Sequence, residues 1–211
     1  GGMSPLSLAT PEGFFAVVYF QIHGKLSTGL SETKKKLFRP DSVRGRVVEI
    51  GSGFGDNFLF FAENGINASF TAVEPNSHMM PRLRERVDES GLSVSLIAAT
   101  AEGAGGLIAG GSVDVVVSTL TLCSVTSLES ALDNIYTWLK PGGKLLFIEH
   151  LPAIQGSPYR TMQALIEPLW CACGGGCHLL RDSLQHLRLI QGFSVGEVRD
   201  VEWSDGKKEP G

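Results

Sequence analysis

A chain of 211 residues with 43% hydrophobic and 19% charged content has the make-up of one ordinary folded domain rather than a disordered or fibrous polymer. The formal net charge of −4, with 18 basic and 22 acidic residues and Lys34-Lys35-Lys36 as the main basic run, argues against nucleic acid as a partner. No apolar stretch approaches the roughly 18 residues of a membrane span. Cys123, Cys171, Cys173 and Cys177 without an export signal point to a reducing compartment, the cytoplasm.

Residues 1–40 read as an N-terminal helical cap on a single domain formed by residues 41–211. Gly1-Gly2 ahead of Met3 reads as an added dipeptide. A turn is expected at Pro11-Glu12-Gly13, followed by an apolar patch over 14–22. Phe14, Val17 and Val18 stand there at helical spacing. The patch is too short to span a membrane but could touch a lipid surface; the reading favoured here is a cover over the site. A polar helix is expected over 31–38, closed by Pro40-Asp41-Ser42.

The first strand, 46–50, runs straight into Gly51-Ser52-Gly53-Phe54-Gly55-Asp56-Asn57. Glycine allows a sharp turn and brings bare backbone close to a ligand. The helix that follows presents unpaired N–H groups and the positive end of its dipole. In a dinucleotide fingerprint, G-x-G-x-x-G, the third glycine would stand where this chain has Asp56, an anion that would face the phosphates. The pattern present is E-x-G-x-G-x-G, with Glu49 two residues before the first glycine. A carboxylate aimed into the turn suits a ligand carrying an ammonium group. S-adenosylmethionine, with its amino group and sulfonium, is such a ligand.

A helix over 57–63 ends at Asn64-Gly65, and the second strand, 68–73, leads into Glu74-Pro75-Asn76. A carboxylate at that strand end can accept from both hydroxyls of a nucleoside ribose. Asn76 or Ser77 is expected to cap a helix reaching residue 87. A third strand over 94–98 precedes Thr100-Ala101-Glu102, beside where an adenine would lie. The fourth strand, 112–118, is a nearly continuous β-branched run, as in strands covered on both faces. A helix over 127–139, a turn at Leu139-Lys140-Pro141-Gly142-Gly143-Lys144 and a fifth strand over 145–150 follow. This alternation predicts an α/β fold with a mostly parallel sheet and helices on both faces.

Four features in this order resemble the class I S-adenosylmethionine-dependent methyltransferases of the ubiquinone/menaquinone-methyltransferase type. They are the Glu49 glycine turn, which resembles motif I, the acid Glu74, the strand over 112–118 and the Leu139–Lys144 turn. Gly55-Asp56-Asn57-Phe58, residues 111–125, Ile148-Glu149-His150, Glu167-Pro168-Leu169-Trp170 and residues 176–182 are similar to the methyltransferase-like seven group of thiol S-methyltransferases. The resemblance covers about residues 14–193. It implies a Rossmann-like fold, S-adenosylmethionine as methyl donor with S-adenosylhomocysteine as product, and a small apolar acceptor such as a thiol. Glu49, Gly51, Ser52, Gly53, Gly55 and Asn57 would hold the methionine part, and Glu74, Pro75 and Asn76 the ribose. Thr100, Ala101 and Glu102 would meet the adenine edge, through backbone groups where relatives carry Asp in place of Thr100. Thr119 and Leu120 would border the sulfonium.

That group starts with an apolar anchor that has no counterpart in these residues, and ends with an antiparallel strand after the sixth. Here a sixth strand over 193–203 is expected to reach a hairpin turn at Ser204-Asp205-Gly206-Lys207, with the return strand missing. Either the sequence is cut short there or a partner supplies that strand, which would make an oligomer.

His150 ends the fifth strand, at the rim where open α/β sheets bind ligands. Its ordinary pKa suits deprotonation of a thiol, which makes it the candidate base. Residues 159–180, with Met162, Leu165, Ile166, Leu169 and Trp170, are expected to roof the acceptor. Cys171-Ala172-Cys173 and Cys177-His178 lack the paired hooks of zinc sites, so no metal is expected, and Cys123 is expected to pack as a small apolar residue. A catalytically silent binding module is the competing reading, which the intact Glu49, Gly51, Gly53 and Glu74 argue against. Asp56 disfavours a nucleotide-dependent oxidoreductase.

Overall fold

The computed structural model describes residues 10–199 and 201. Helices α1 (Pro11–Gly29) and α2 (Ser31–Leu37) precede β1 (Arg46–Ile50), α3 (Asp56–Glu63), β2 (Ser69–Val73), α4 (Met80–Ser90) and β3 (Val94–Ile97). Then come β4 (Val113–Thr119), α5 (Leu128–Trp138), β5 (Leu139–Ile148), α6 (Pro158–Cys173) and α7 (Ser183–Leu189). Among the described residues the sheet has five strands in the order β3-β2-β1-β4-β5, every pair parallel. This is the Rossmann-like α/β sheet that the sequence predicts. The direction of winding reverses between β1 and β4, so a ligand is expected beyond their carboxyl ends.

Side chains along each strand alternate between two cores. Val47, Val115 and Val117 join Phe58, Phe61, Phe70 and Leu83 on the side of α3 and α4. Val48, Ile50 and Val116 join Leu132, Ile135, Trp138 and Leu187 on the side of α5 and α7. A large apolar side chain withdrawn from water contributes about 1.5–3 kcal/mol. Burial on both faces, rather than intrinsic propensity, therefore holds these short strands.

Several boundaries differ from those expected, each for a local reason. Pro11-Glu12-Gly13 is the first turn of α1, because Thr10 caps it by accepting from Gly13 N at 3.1 Å and Pro stands at the helix start. Neither Asn76 nor Ser77 caps α4, which begins at Met80. The Asn76 side chain instead accepts from His78 N at 3.0 Å, closing a turn before the helix. The Leu139–Lys144 segment belongs to β5: Val113 pairs with Leu139 and Val115 with Lys144, so Lys140 to Gly143 bulge out opposite Asp114. Lys140 Nζ holds that bulge through Asp114 Oδ1 at 2.7 Å. Residues 193–199 form no strand; the Phe193 ring packs edge-on against Tyr136 instead. The expected turn at 204–207 lies outside the described residues. Among the described helices, none is long and apolar enough to cross a membrane.

Candidate functional site

A cavity of about 560 Å³ opens at the carboxyl ends of the central strands. Gly51 and Gly53 line it after β1, Glu74, Pro75 and Asn76 after β2, and Thr100, Ala101 and Glu102 after β3. Leu120, Thr121 and Ser124 line it after β4. The opposite wall comes from Glu12, Phe15 and Tyr19 of α1 and from Cys171, Ala172, Gly175 and Gly176 at the end of α6. A second recess of about 30 Å³ lies beside the glycine turn and is lined by Glu49, Ser52, Asn57, Thr119, Lys34 and His23 among others. Gly51, Leu120 and Tyr19 border both spaces.

The glycine turn is built by close approach. A Cβ on Gly51, at φ +62°, would stand 2.2 Å from Thr121 Oγ1, so the β1 and β4 exits could not come together around any other residue. Glu49 is buried at the base of the turn. Its Oε1 accepts from Asn57 Nδ2 at 2.5 Å, while Glu49 Oε2 and Asn57 Oδ1 are buried without partners. Burial pushes the Glu49 carboxyl up to about 7, against the Asn57 hydrogen bond and the Lys34 charge. Glu74 accepts from Gly53 N at 2.8 Å through Oε2 and from Asn76 N at 2.7 Å through Oε1. It thus braces the turn as well as lining the cavity. Burial raises its pKa.

The exit of β4 is shaped by Glu149. Its Oε1 accepts from Ser118 Oγ, Thr121 N and Leu122 N at 2.8, 2.8 and 2.9 Å. That grip holds Leu120 at φ 54°, a conformation a branched residue keeps only when its surroundings impose it. Helix α1 is tied across the cavity by Asn76 Nδ2 donating to Glu12 O at 2.9 Å and by His23 Nδ1 against Asp56 Oδ2 at 2.7 Å. Asp56 is thereby engaged by the protein itself. Tyr19 stacks between Phe15 and Phe54, with ring centroids 5.6 Å from each, and burial raises its phenol pKa.

Most residues singled out in the sequence stand around these two spaces, but Gly55 and His150 do not line them. Gly55 caps α3 at φ +83°, packed against Leu83 and Arg86. His150 Nε2 lies 3.0 Å from Cys177 Sγ, and its Nδ1 is buried without a partner. Hydrogen bonding from Cys123 above all, then from His150 and Trp170, holds the Cys177 thiol well below its ordinary range. The same contact with Cys177, together with burial, pushes Cys123 up. Contact with Cys177 also raises His150.

The apolar roof expected over 159–180 turns outward. Leu165 and Leu169 are 77% and 71% exposed, and it is the small residues ending α6 that face the cavity. Phe15 falls within the segment expected to cover the site and Thr121 at the expected end of the fourth strand, whereas sequence reasoning missed Glu12 and Tyr19. A Phe15–Tyr19 pair one helical turn apart, facing away from the exposed Phe14 and Val18, was the available signal.

Residues 48–147 match the family described as Methyltransferase domain. The chain is 38% identical over 159 residues to the rat thiol S-methyltransferase TMT1B, a match covering 74% of this chain and 62% of the rat protein. It is 33% identical over 189 residues to the human thiol S-methyltransferase TMT1A, covering 89% of this chain and 75% of the human one. The fold is similar to that of a solved S-adenosylmethionine-dependent methyltransferase from Thermotoga maritima, a possible histamine N-methyltransferase. The TM-score is 0.56 at 21% identity, covering 85% of this chain and 79% of that one. A Methanococcus maripaludis structure, a putative S-adenosyl-L-methionine-dependent methyltransferase, gives 0.54 at 18% identity, covering 75% and 71%. The chain belongs to the class I S-adenosylmethionine-dependent methyltransferases, in the TMT1 family, and S-adenosylmethionine is its cofactor.

Proposed function

We propose that this protein transfers a methyl group from S-adenosylmethionine to a small apolar thiol. The observation that carries the cofactor's placement is the pair of buried, unpartnered acceptors, Glu49 Oε2 and Asn57 Oδ1, in the recess beside the glycine turn. Buried acceptors left without donors are costly, and an ammonium group supplies the missing donors and charge. The residues fit the cofactor on that test. Glu49, Asn57 and the backbone of Gly51, Ser52 and Gly53 would hold its amino-acid end, with Gly55 setting the start of α3. Glu74 would accept from ribose hydroxyls, Pro75 and Asn76 would flank the ribose, and Thr100 to Glu102 would border the adenine. Thr119 and Leu120 would border the sulfonium. When bound, the cofactor supplies an electrophilic methyl group.

The chain's own work is then to position the acceptor and keep water out, which supplies most of the acceleration in such a displacement. Phe15, Tyr19, Thr121, Ala172 and Gly176, which wall the cavity, would do this. In this reading residues 1–40 act as a cap on the domain that starts at residue 41, and the protein works in the cytoplasm. The thiol acceptor is supported by the names of the rat and human relatives. Incubation with S-adenosylmethionine and a panel of small thiols, amines and phenols should yield methyl thioethers, detected by mass spectrometry. Products methylated only on nitrogen or oxygen would overturn the thiol reading. Cofactor binding without turnover would favour a silent binding module.

The raised Glu49 pKa gives a second expected result. Without ligand, Glu49 favours the folded state in its neutral form. That contribution is present below the ordinary carboxylate range and is lost as pH rises through about 7. An ammonium ligand favours the ionised form, so binding below that pH releases a proton. Affinity for S-adenosylhomocysteine should therefore rise with pH, by up to about ten-fold per unit below the Glu49 pKa, and level off above it. Glu49→Gln should flatten this dependence. Calorimetry across the range decides it, and a flat wild-type profile would place the ammonium group elsewhere.

A further inference from the structure

Two thiols and an imidazole from distant parts of the chain meet behind the cavity wall. Cys123 follows β4, His150 follows β5 and Cys177 follows α6. One donor atom from each lies within 4.8 Å of the other two, and the His150–Cys177 pair is at 3.0 Å. Their backbone supports are independent of any ligand. His178 N donates to Cys123 O at 3.0 Å, and Arg181 Nη1 donates to both Leu122 O and Val125 O. Gly176 lets the two sulfur-bearing loops touch, since a Cβ there would stand 3.2 Å from Ser124 O.

Cysteine sulfur and histidine nitrogen are the donors that zinc and its softer neighbours select. With metal–sulfur bonds near 2.3 Å and metal–nitrogen bonds of about 2.0–2.1 Å, a tetrahedral site spaces its donors roughly 3.5–4 Å apart. Reaching that spacing needs the His150–Cys177 contact to open by about half an ångström and any wider pair, none beyond 4.8 Å, to close by less than about an ångström. Three protein ligands with a fourth position open is the arrangement of reactive rather than purely structural zinc. Ser124 and Gly176, chain neighbours of two of the donors, line the cavity. The run of cysteines at Cys171 and Cys173 has no part in it; only Cys177 takes part.

We propose that Cys123, His150 and Cys177 bind one zinc-like divalent cation, with the fourth position left to an exogenous thiolate. Resting on the thiol reading above, that thiolate is the acceptor's sulfur. Its S–H bond breaks, a sulfur–metal bond forms and the proton leaves to solvent, with no change in oxidation state. A metal-bound thiol is deprotonated outright, which prepares it as a nucleophile.

Cobalt(II) titration of the reduced, metal-free protein tests this. A thiolate-to-cobalt charge-transfer band and the strong visible bands of tetrahedral cobalt should saturate at one equivalent and vanish on adding zinc. Cys177→Ser and His150→Ala should each weaken cobalt binding by about ten-fold or more, while Cys173→Ser matches wild type. Unchanged S-adenosylhomocysteine binding by these variants shows that they are folded. A small thiol should shift the cobalt spectrum. Absence of the charge-transfer band, or its persistence in Cys177→Ser, overturns the site. A Cys123–Cys177 disulfide in the protein as purified without reductant, found by peptide mapping, does the same. A spectrum indifferent to thiol overturns the fourth-ligand assignment. Failure to methylate thiols leaves the cobalt titration untouched, so the two readings fail separately.

Discussion

Gly53→Val should abolish S-adenosylhomocysteine binding while leaving a folded protein. Gly53 sits at φ +56°, and a Cβ there would find Tyr19 Cε1 at 3.5 Å as its nearest protein neighbour. That is ordinary contact, so a valine side chain would enter open cavity rather than collide with the fold. The left-handed backbone under a β-branched residue costs about 1–3 kcal/mol, which lowers the melting temperature but is tolerable for a domain of this size. The space the side chain fills is the space proposed for the cofactor. Calorimetry on the folded variant is the measurement, and wild-type affinity would move the cofactor away from this turn. Gly51 makes a contrast, because its Cβ would strike Thr121 and damage the fold directly.

Glu74→Ala should weaken S-adenosylhomocysteine binding by about 1.5–3 kcal/mol, the scale of a lost charged hydrogen bond, or more than ten-fold. The structure adds a second effect. Truncation also strips the acceptors from Gly53 N and Asn76 N, so the melting temperature should fall as well. Glu74→Gln separates the two effects, since its amide oxygen can still brace one of these N–H groups. Glu74→Gln should recover much of the stability and less of the affinity. If Glu74→Ala is destabilised yet binds as wild type, Glu74 is a brace alone.

The sheet was legible because its signals are local. β1 is found at the residues expected, and the β-branched run of β4 is buried on both faces as such runs should be. What escaped was decided by side chains acting on neighbouring backbone. Asn76 spends its side chain on a turn, so α4 starts late. Asp114 anchors Lys140, so four residues that read as a turn ride within β5 as a bulge. The site divides in the same way. Glu49, the glycines and Glu74 are close in sequence to the strand ends that carry them. The α1 face is announced only by helical spacing, while the Cys123–His150–Cys177 cluster meets only after folding and no spacing along the chain announces it.

The cavity takes its walls from Glu12 near one end of the described chain and from Gly176 near the other. No fragment shorter than residues 11–176 holds the whole pocket, so during synthesis the nascent chain has no complete pocket until Gly176 has been added. An occupant that touches both walls also acts as a stitch between them. At a hundred times its dissociation constant, a ligand adds about 2.7 kcal/mol to the state that binds it. That increment falls on the docking of α1 and of the loop after α6. If the methyl donor is that occupant, as proposed above, their resistance to local opening, and hence to proteolysis, should rise and fall with its supply, while the sheet beneath rests on its two cores.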